Sequence, residues 1–282
     1  MSSASGGRSR YVQALGREVH FMEWGTSGAQ PLVMWHGLAR SGRDFDWIAA
    51  HLADQFHIIC PDTIGRGLSE WSDKPDVDYC LDTYAEQARQ LVDAVGFERM
   101  HWLGTSMGGS LGIRAVATTL KGRIDKLIIN DIGPTFPEAP YERIKQYVGA
   151  PPDFATITEI EEYFRTIYLP FGPHTDEQWR HMAETSSRRL PSGRITTHYD
   201  PAIVRQMFVH PNDYEQWAHW DAITSPTLVL HGVNSDLLLP EIAKEMTQRG
   251  PKATIAEIEG CGHAPGLVTP EQMKVVRDWL VD

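Results

Sequence analysis

The pentapeptide Gly104-Thr-Ser-Met-Gly108 puts a serine between two glycines, where the apolar run Met100-His-Trp-Leu103 gives way to helical periodicity from Met107 to Thr119. A serine on so tight a strand-to-helix turn has a strained backbone, and its hydroxyl is lifted out of the sheet. The glycines remove side chains that would collide there, and the helix behind aims its free amides at the same spot. That is the placement of a nucleophile. A phosphate-binding loop is excluded, because Gly109 is followed by Ser110 where such a loop needs lysine.

A serine hydroxyl attacks only when a base takes its proton, and the base needs an acid to hold its tautomer. Of the twelve histidines, His263 lies in Gly260-Cys-Gly-His-Ala-Pro265, a loop between a strand ending near Ile258 and the last helix. Asp236, in Asn234-Ser-Asp236, follows the strand that ends at His231-Gly232. Asp131 closes the run Leu127–Ile132 and competes for the role of acid. Asp236 is in the loop and the chain order expected of the acid and is preferred, leaving Asp131 to brace the segment that follows. The oxyanion formed on attack needs two preorganised donors. The sequence points to the backbone N–H of Met107 and that of Leu38, beside a glycine in His36-Gly37-Leu38. His36 reads as a hydrogen-bonded brace of that loop.

These residues need a scaffold that brings them to one edge. Tyr11–Leu15 and Glu18–Trp24 read as an antiparallel hairpin. Pro31–Trp35, Phe56–Cys60, Met100–Leu103, Leu127–Ile132, Thr227–His231 and Ala253–Ile258 read as short buried strands. Helices alternate with them, one opening at the capping box Thr83/Glu86 and the last at Thr269-Pro-Glu-Gln272. The alternation predicts an α/β fold, a mostly parallel sheet with helices on both faces. Strand-like runs largely disappear over residues 134–221, where prolines, aromatics and helical periodicity predict an inserted helical cap. The expected organisation is a disordered lead at 1–9, a core at 10–133 and 222–282, and the cap between.

Composition narrows the function. The 282 residues carry a net charge of −11, which argues against nucleic acid, and no apolar run reaches the length of a membrane span. The lead lacks the apolar segment of a signal peptide, and the three cysteines are unclustered, so a cytoplasmic protein without disulfides is expected. No metal and no cofactor are expected. The acidic run Asp73–Asp78 lacks the glycine and the glutamate of a calcium loop, His174 and His181 lack a third ligand, and Gly65 and Gly67 do not complete a dinucleotide fingerprint. Cys261 reads as a small packing residue.

His36-Gly37, Asp62-x-x-Gly65-x-Gly67-x-Ser69, Gly104-x-Ser106-x-Gly108-Gly109, Asp236 and Gly262-His263 together resemble the α/β-hydrolase superfamily, in its serine-nucleophile, esterase-like branch with a helical cap. The resemblance implies the α/β-hydrolase fold and a triad of Ser106, Asp236 and His263. A serine at the elbow argues against the family's epoxide hydrolases and haloalkane dehalogenases. The expected activity is hydrolysis of a small to medium carboxylic ester through an acyl-enzyme, with a small-molecule ester as partner and the oligomeric state open. Carbon–carbon hydrolysis and thioester cleavage are variants within the fold; Leu38-Ala-Arg-Ser41 replaces the glycine- and proline-rich stretch usual in the carbon–carbon enzymes. A slow-turnover ligand-binding receptor is the alternative from another class. Arg188 and Arg189 in the cap read as a solvated pair, with a substrate carboxylate as the alternative partner.

Overall fold

The computed structural model describes residues 6–282. The strands are β1 (Arg8–Ala14), β2 (Arg17–Trp24), β3 (Gln30–Trp35), β4 (Phe56–Pro61), β5 (Met100–Thr105), β6 (Ile124–Asn130), β7 (Asp153–Phe154), β8 (Ser187–Arg189), β9 (Ile195–Thr197), β10 (Thr227–Gly232) and β11 (Thr254–Ile258). Eight of them form one sheet in the order β1-β2-β4-β3-β5-β6-β10-β11. Only the β1–β2 and β2–β4 pairings are antiparallel; every pairing from β4 to β11 is parallel.

The sheet's inner strands are continuous apolar runs because both of their faces are covered. On one face Trp35 stacks on Trp102 at 5.3 Å, within a core that includes the helix Leu81–Val95. On the other, Leu32, Met34, Ile58 and Leu230 pack with Ile48, Leu52 and Val276 of two further helices. Because the strands from β3 onward run parallel, their carboxyl ends share one edge, and the segments after them carry the candidate residues.

Several local expectations are corrected. Arg8 and Ser9 belong to β1 rather than to a disordered lead, while residues 1–5 of that lead lie outside the described residues. The Leu81–Val95 helix starts before the Thr83/Glu86 box, with Cys80 as its N-cap. Its first free amide, that of Leu81, is satisfied instead by Asp213, 2.8 Å away and 132 residues on. No local pattern records such a cap. Thr269 does cap the last helix, but Gln272 turns to the amide of Val268 instead of closing the box.

Between β6 and β10 the chain forms the helices Glu138–Val148, Ile157–Ile167 and Asp176–Thr185. It also forms a small antiparallel sheet ordered β7-β9-β8, which the helical expectation for this stretch did not include. Strands of two or three residues are too short to show period-two alternation. Ile160, Phe164, Ala183 and Ile195 give the segment a small core of its own. Among the described residues no helix is long and apolar enough to cross a membrane.

Candidate active site

Steric necessity builds the turn around Ser106. A Cβ at Gly104 would lie 2.0 Å from the Gly108 carbonyl oxygen, and one at Gly108 would lie 2.0 Å from that of Trp35. Both obstacles are backbone, so neither glycine has a substitute. Ser106 itself has φ +52°, a left-handed conformation that costs a non-glycine residue of order 1 kcal/mol or more. Its amide donates to the Asn130 carbonyl at 2.9 Å, tying the strained turn to β6. The helix Met107–Ala117 starts at the next residue.

The Ser106 hydroxyl lies 2.8 Å from His263 Nε2, and His263 Nδ1 lies 2.9 Å from Oδ2 of Asp131. Asp131, not Asp236, is therefore the acid in contact with the imidazole, and the preference drawn from chain order is corrected. Asp131 is fully buried. It also accepts the Gly232 amide at 2.8 Å and the Ser235 hydroxyl at 2.6 Å. With both oxygens receiving donors, the carboxylate accepts a hydrogen bond from Nδ1–H, which keeps the proton on Nδ1 and leaves Nε2 free to accept from Ser106. Asp236 points elsewhere, half-exposed, with Oδ2 2.7 Å from Nη2 of Arg143.

Topology explains the exchange. Asp131 directly follows β6, the neighbour of the strand that leads into Ser106, and φ +60° turns the chain there. Asp236 sits beyond β10, one strand further away, at the outer end of the turn whose Ser235 serves Asp131. Asn130, which sequence reasoning passed over, fastens the assembly: its amide nitrogen donates to Thr105 Oγ1 at 3.0 Å and to the Pro265 carbonyl at 2.8 Å. It links the nucleophile's strand to the histidine's loop.

Leu38 and Met107 flank the same spot. A Cβ on Gly37 would be 3.6 Å from the Ser106 Cβ, so the loop after β3 lies against the nucleophile's turn. Met107 is the first residue of its helix, and neither its amide nor that of Leu38 donates to a backbone carbonyl among the described residues. His36 braces this loop: Nδ1 donates to the Gly37 carbonyl at 2.7 Å and Nε2 accepts the Thr63 amide at 2.9 Å. Burial holds its pKa down to about 4, so the ring is neutral, as a donor–acceptor brace requires. Arg66, a second residue passed over, is completely buried and donates from Nε to the Leu38 carbonyl at 2.9 Å. The turn Asp62–Ser69, one of the motifs of the resemblance, thus holds the Leu38 loop from behind.

A cavity of about 590 Å³ opens over Ser106 and His263. Its walls come from the loop after β3, from the segment after β10, and from the helices between β6 and β10; Tyr147, Tyr163, Ile167, Tyr168 and Phe171 supply apolar surface. Arg188 and Arg189 are not on these walls; Arg188 stacks on Trp71 at 4.8 Å. His181 lies 2.8 Å from the buried carboxylate of Asp46. Cys261 is buried and receives the Gln272 amide at 3.2 Å. A second serine–histidine–aspartate set occurs at the β1–β2 end of the sheet, with Ser9 2.8 Å from His20 and His20 2.7 Å from Asp62. Ser9 stands on an ordinary strand with no helix starting behind it, so that set lacks the donors an oxyanion needs.

A family profile for the alpha/beta hydrolase fold matches residues 30–270. The chain belongs to that family. This alpha/beta hydrolase is 36% identical over 265 residues to the 3-hydroxybutyrate-oligomer hydrolase of Cupriavidus necator, covering 90% of each chain. It is 28% identical over 256 residues to the N-formylmaleamate deformylase of Pseudomonas putida, covering 89% of this chain and 88% of that one. Among solved structures, an alpha/beta hydrolase from Novosphingobium aromaticivorans superposes with a TM-score of 0.87 at 30% identity, over 98% of each chain.

Proposed function

We propose that this alpha/beta hydrolase cleaves carboxylic esters through an acyl-enzyme on Ser106. The observation that carries the reading is the unbroken line from the Ser106 hydroxyl through His263 to the buried Asp131. Ser106 Oγ attacks the ester carbonyl carbon as His263 Nε2 takes its proton. The carbonyl oxygen, now an anion, is received by the amides of Leu38 and Met107. Collapse breaks the bond to the alcohol oxygen, which leaves with the proton from Nε2. Water then gives its proton to the same nitrogen, attacks the acyl carbon, and releases the acid while Ser106 recovers its hydrogen. Throughout, Asp131 holds Nδ1–H and stabilises the imidazolium.

The segment between β6 and β10 acts in this reading as a cap that roofs the cavity with aromatic side chains. The relative with 36% identity favours an ester, and specifically an oligoester of a short hydroxy acid, over a carbon–carbon substrate. The test is hydrolysis of p-nitrophenyl butyrate and of linear 3-hydroxybutyrate dimer and trimer by wild type and Ser106→Ala. Wild-type turnover with a serine-bound acyl adduct on Ser106, both lost in the variant, is the expected result. Unchanged turnover in Ser106→Ala overturns the nucleophile, and wild-type activity on none of the three overturns the substrate class.

A further inference from the structure

Three arginines line the cavity over Ser106: Arg40, Arg43 and Arg143. Two are committed. Arg40 is buried, donates from Nε to Asp44 at 2.9 Å and from Nη2 to Ser186 at 3.0 Å, and lies over the Tyr168 ring at 4.6 Å. Arg43 donates from Nε at 2.6 Å to Asp46, a carboxylate with no exposure to solvent. Arg143, on the helix Glu138–Val148, differs. Its partner Asp236 is 2.7 Å away, and the two side chains are 55% and 52% exposed. An ion pair that open to water contributes little stability, so another anion displaces the aspartate at small cost.

We propose that Arg143 binds the free carboxylate of an ester substrate, and that Asp236 occupies its place while the cavity is empty. The proposal rests on the esterase reading and names the substrate class within it: short esters bearing a terminal carboxylate, such as hydroxy-acid oligomers. Guanidinium suits the task, since its planar fork pairs with both oxygens of a carboxylate. A chain of net charge −11 repels anions in general, so a cation on the cavity wall is what admits them. The exchange also accounts for Asp236, which faces the cavity yet makes no contact with the imidazole. It sits on the turn whose Ser235 bonds to Asp131, so the charged end of the substrate is gripped beside the reacting end.

The experiment compares three substrates: p-nitrophenyl butyrate, the linear 3-hydroxybutyrate dimer as free acid, and its methyl ester, with cleavage of the internal ester followed by chromatography. In Arg143→Gln, KM for the free acid is expected to rise on the order of 10-fold, because the bound substrate itself shields the new pair from the water that weakens Arg143–Asp236. The methyl ester is expected to change less than about threefold, and Arg143→Lys to recover part of the loss for the acid. In Asp236→Asn, KM for the acid is expected to fall, because the competing carboxylate is gone. Equal effects of Arg143→Gln on acid and methyl ester, or no effect on either, overturn the carboxylate site while the esterase reading stands. Failure of wild type on all three substrates overturns the esterase reading beneath it.

Discussion

Replacing Asp131 by asparagine tests the acid assignment almost without changing shape. Oδ1 accepts the Gly232 amide at 2.8 Å, so the new NH₂ cannot sit there without setting two donors against each other. It must take the Oδ2 position, where it faces the Ser235 hydroxyl at 2.6 Å and His263 Nδ1 at 2.9 Å. The Ser235 hydroxyl, whose oxygen already accepts the Leu237 and Leu238 amides, loses its acceptor there. The imidazole has only one response, which is to accept at Nδ1 and carry its proton on Nε2. That proton then points at the Ser106 hydroxyl, 2.8 Å away, and the base is lost. The imidazolium formed on attack also loses its counter-charge. The combined loss is expected to be about 10⁴-fold in kcat, equivalent to about 5 kcal/mol of barrier. Asp236→Asn removes only a half-exposed ion pair, worth about 0–1 kcal/mol, and is expected to keep kcat on a neutral ester within about threefold. Steady-state kinetics on p-nitrophenyl butyrate, with thermal melts to check folding, measure both. A loss of a thousandfold in Asp236→Asn with less than tenfold in Asp131→Asn would refute the assignment.

Gly108→Ala drives a methyl to 2.0 Å from the Trp35 carbonyl oxygen, and neither backbone can withdraw without moving the sheet. A loss of about 2–3 kcal/mol of stability is expected in urea unfolding, and a midpoint equal to wild type would contradict the packing described. His36 carries a stability signature in pH. Its folded pKa, about 4, lies below the ordinary 6.5, so between those values the unfolded chain takes up a proton that the folded one refuses. Stability from this group is complete above about 6.5 and falls as pH drops toward 4, by up to about 3 kcal/mol. His36→Gln should flatten the difference between unfolding free energies at pH 4.5 and pH 7 by close to that amount; an unchanged slope would place the charge elsewhere.

Much of this molecule is legible one segment at a time. The strands and helices of the sheet follow from apolar periodicity, which records only whether a residue faces the core. Ser106 is marked because its turn requires glycine at two flanking positions, a constraint local enough to be written in five residues. His263 and the loop at His36 are likewise set by what precedes and follows them along the chain.

The acid is different. Asp131 and Asp236 both follow strands that end at the same sheet edge; loop position and chain order favour Asp236, but neither carries a distance. What separates them is the lateral order β5-β6-β10, which puts Asp131 beside the nucleophile's strand, and the turn that leaves Asp236 out with Arg143. The cap on the Leu81 amide, the grip of Asn130 on the histidine's loop and the hold of Arg66 on Leu38 share this character. Each joins segments distant in sequence through one or two hydrogen bonds, and such bonds leave no periodicity behind. Local sterics and hydrophobic pattern therefore determined the Ser106 turn, the His263 loop and the sheet. Which carboxylate pairs with His263, and which cavity arginine is left with only an exposed partner, were decided only when the parallel strands came side by side.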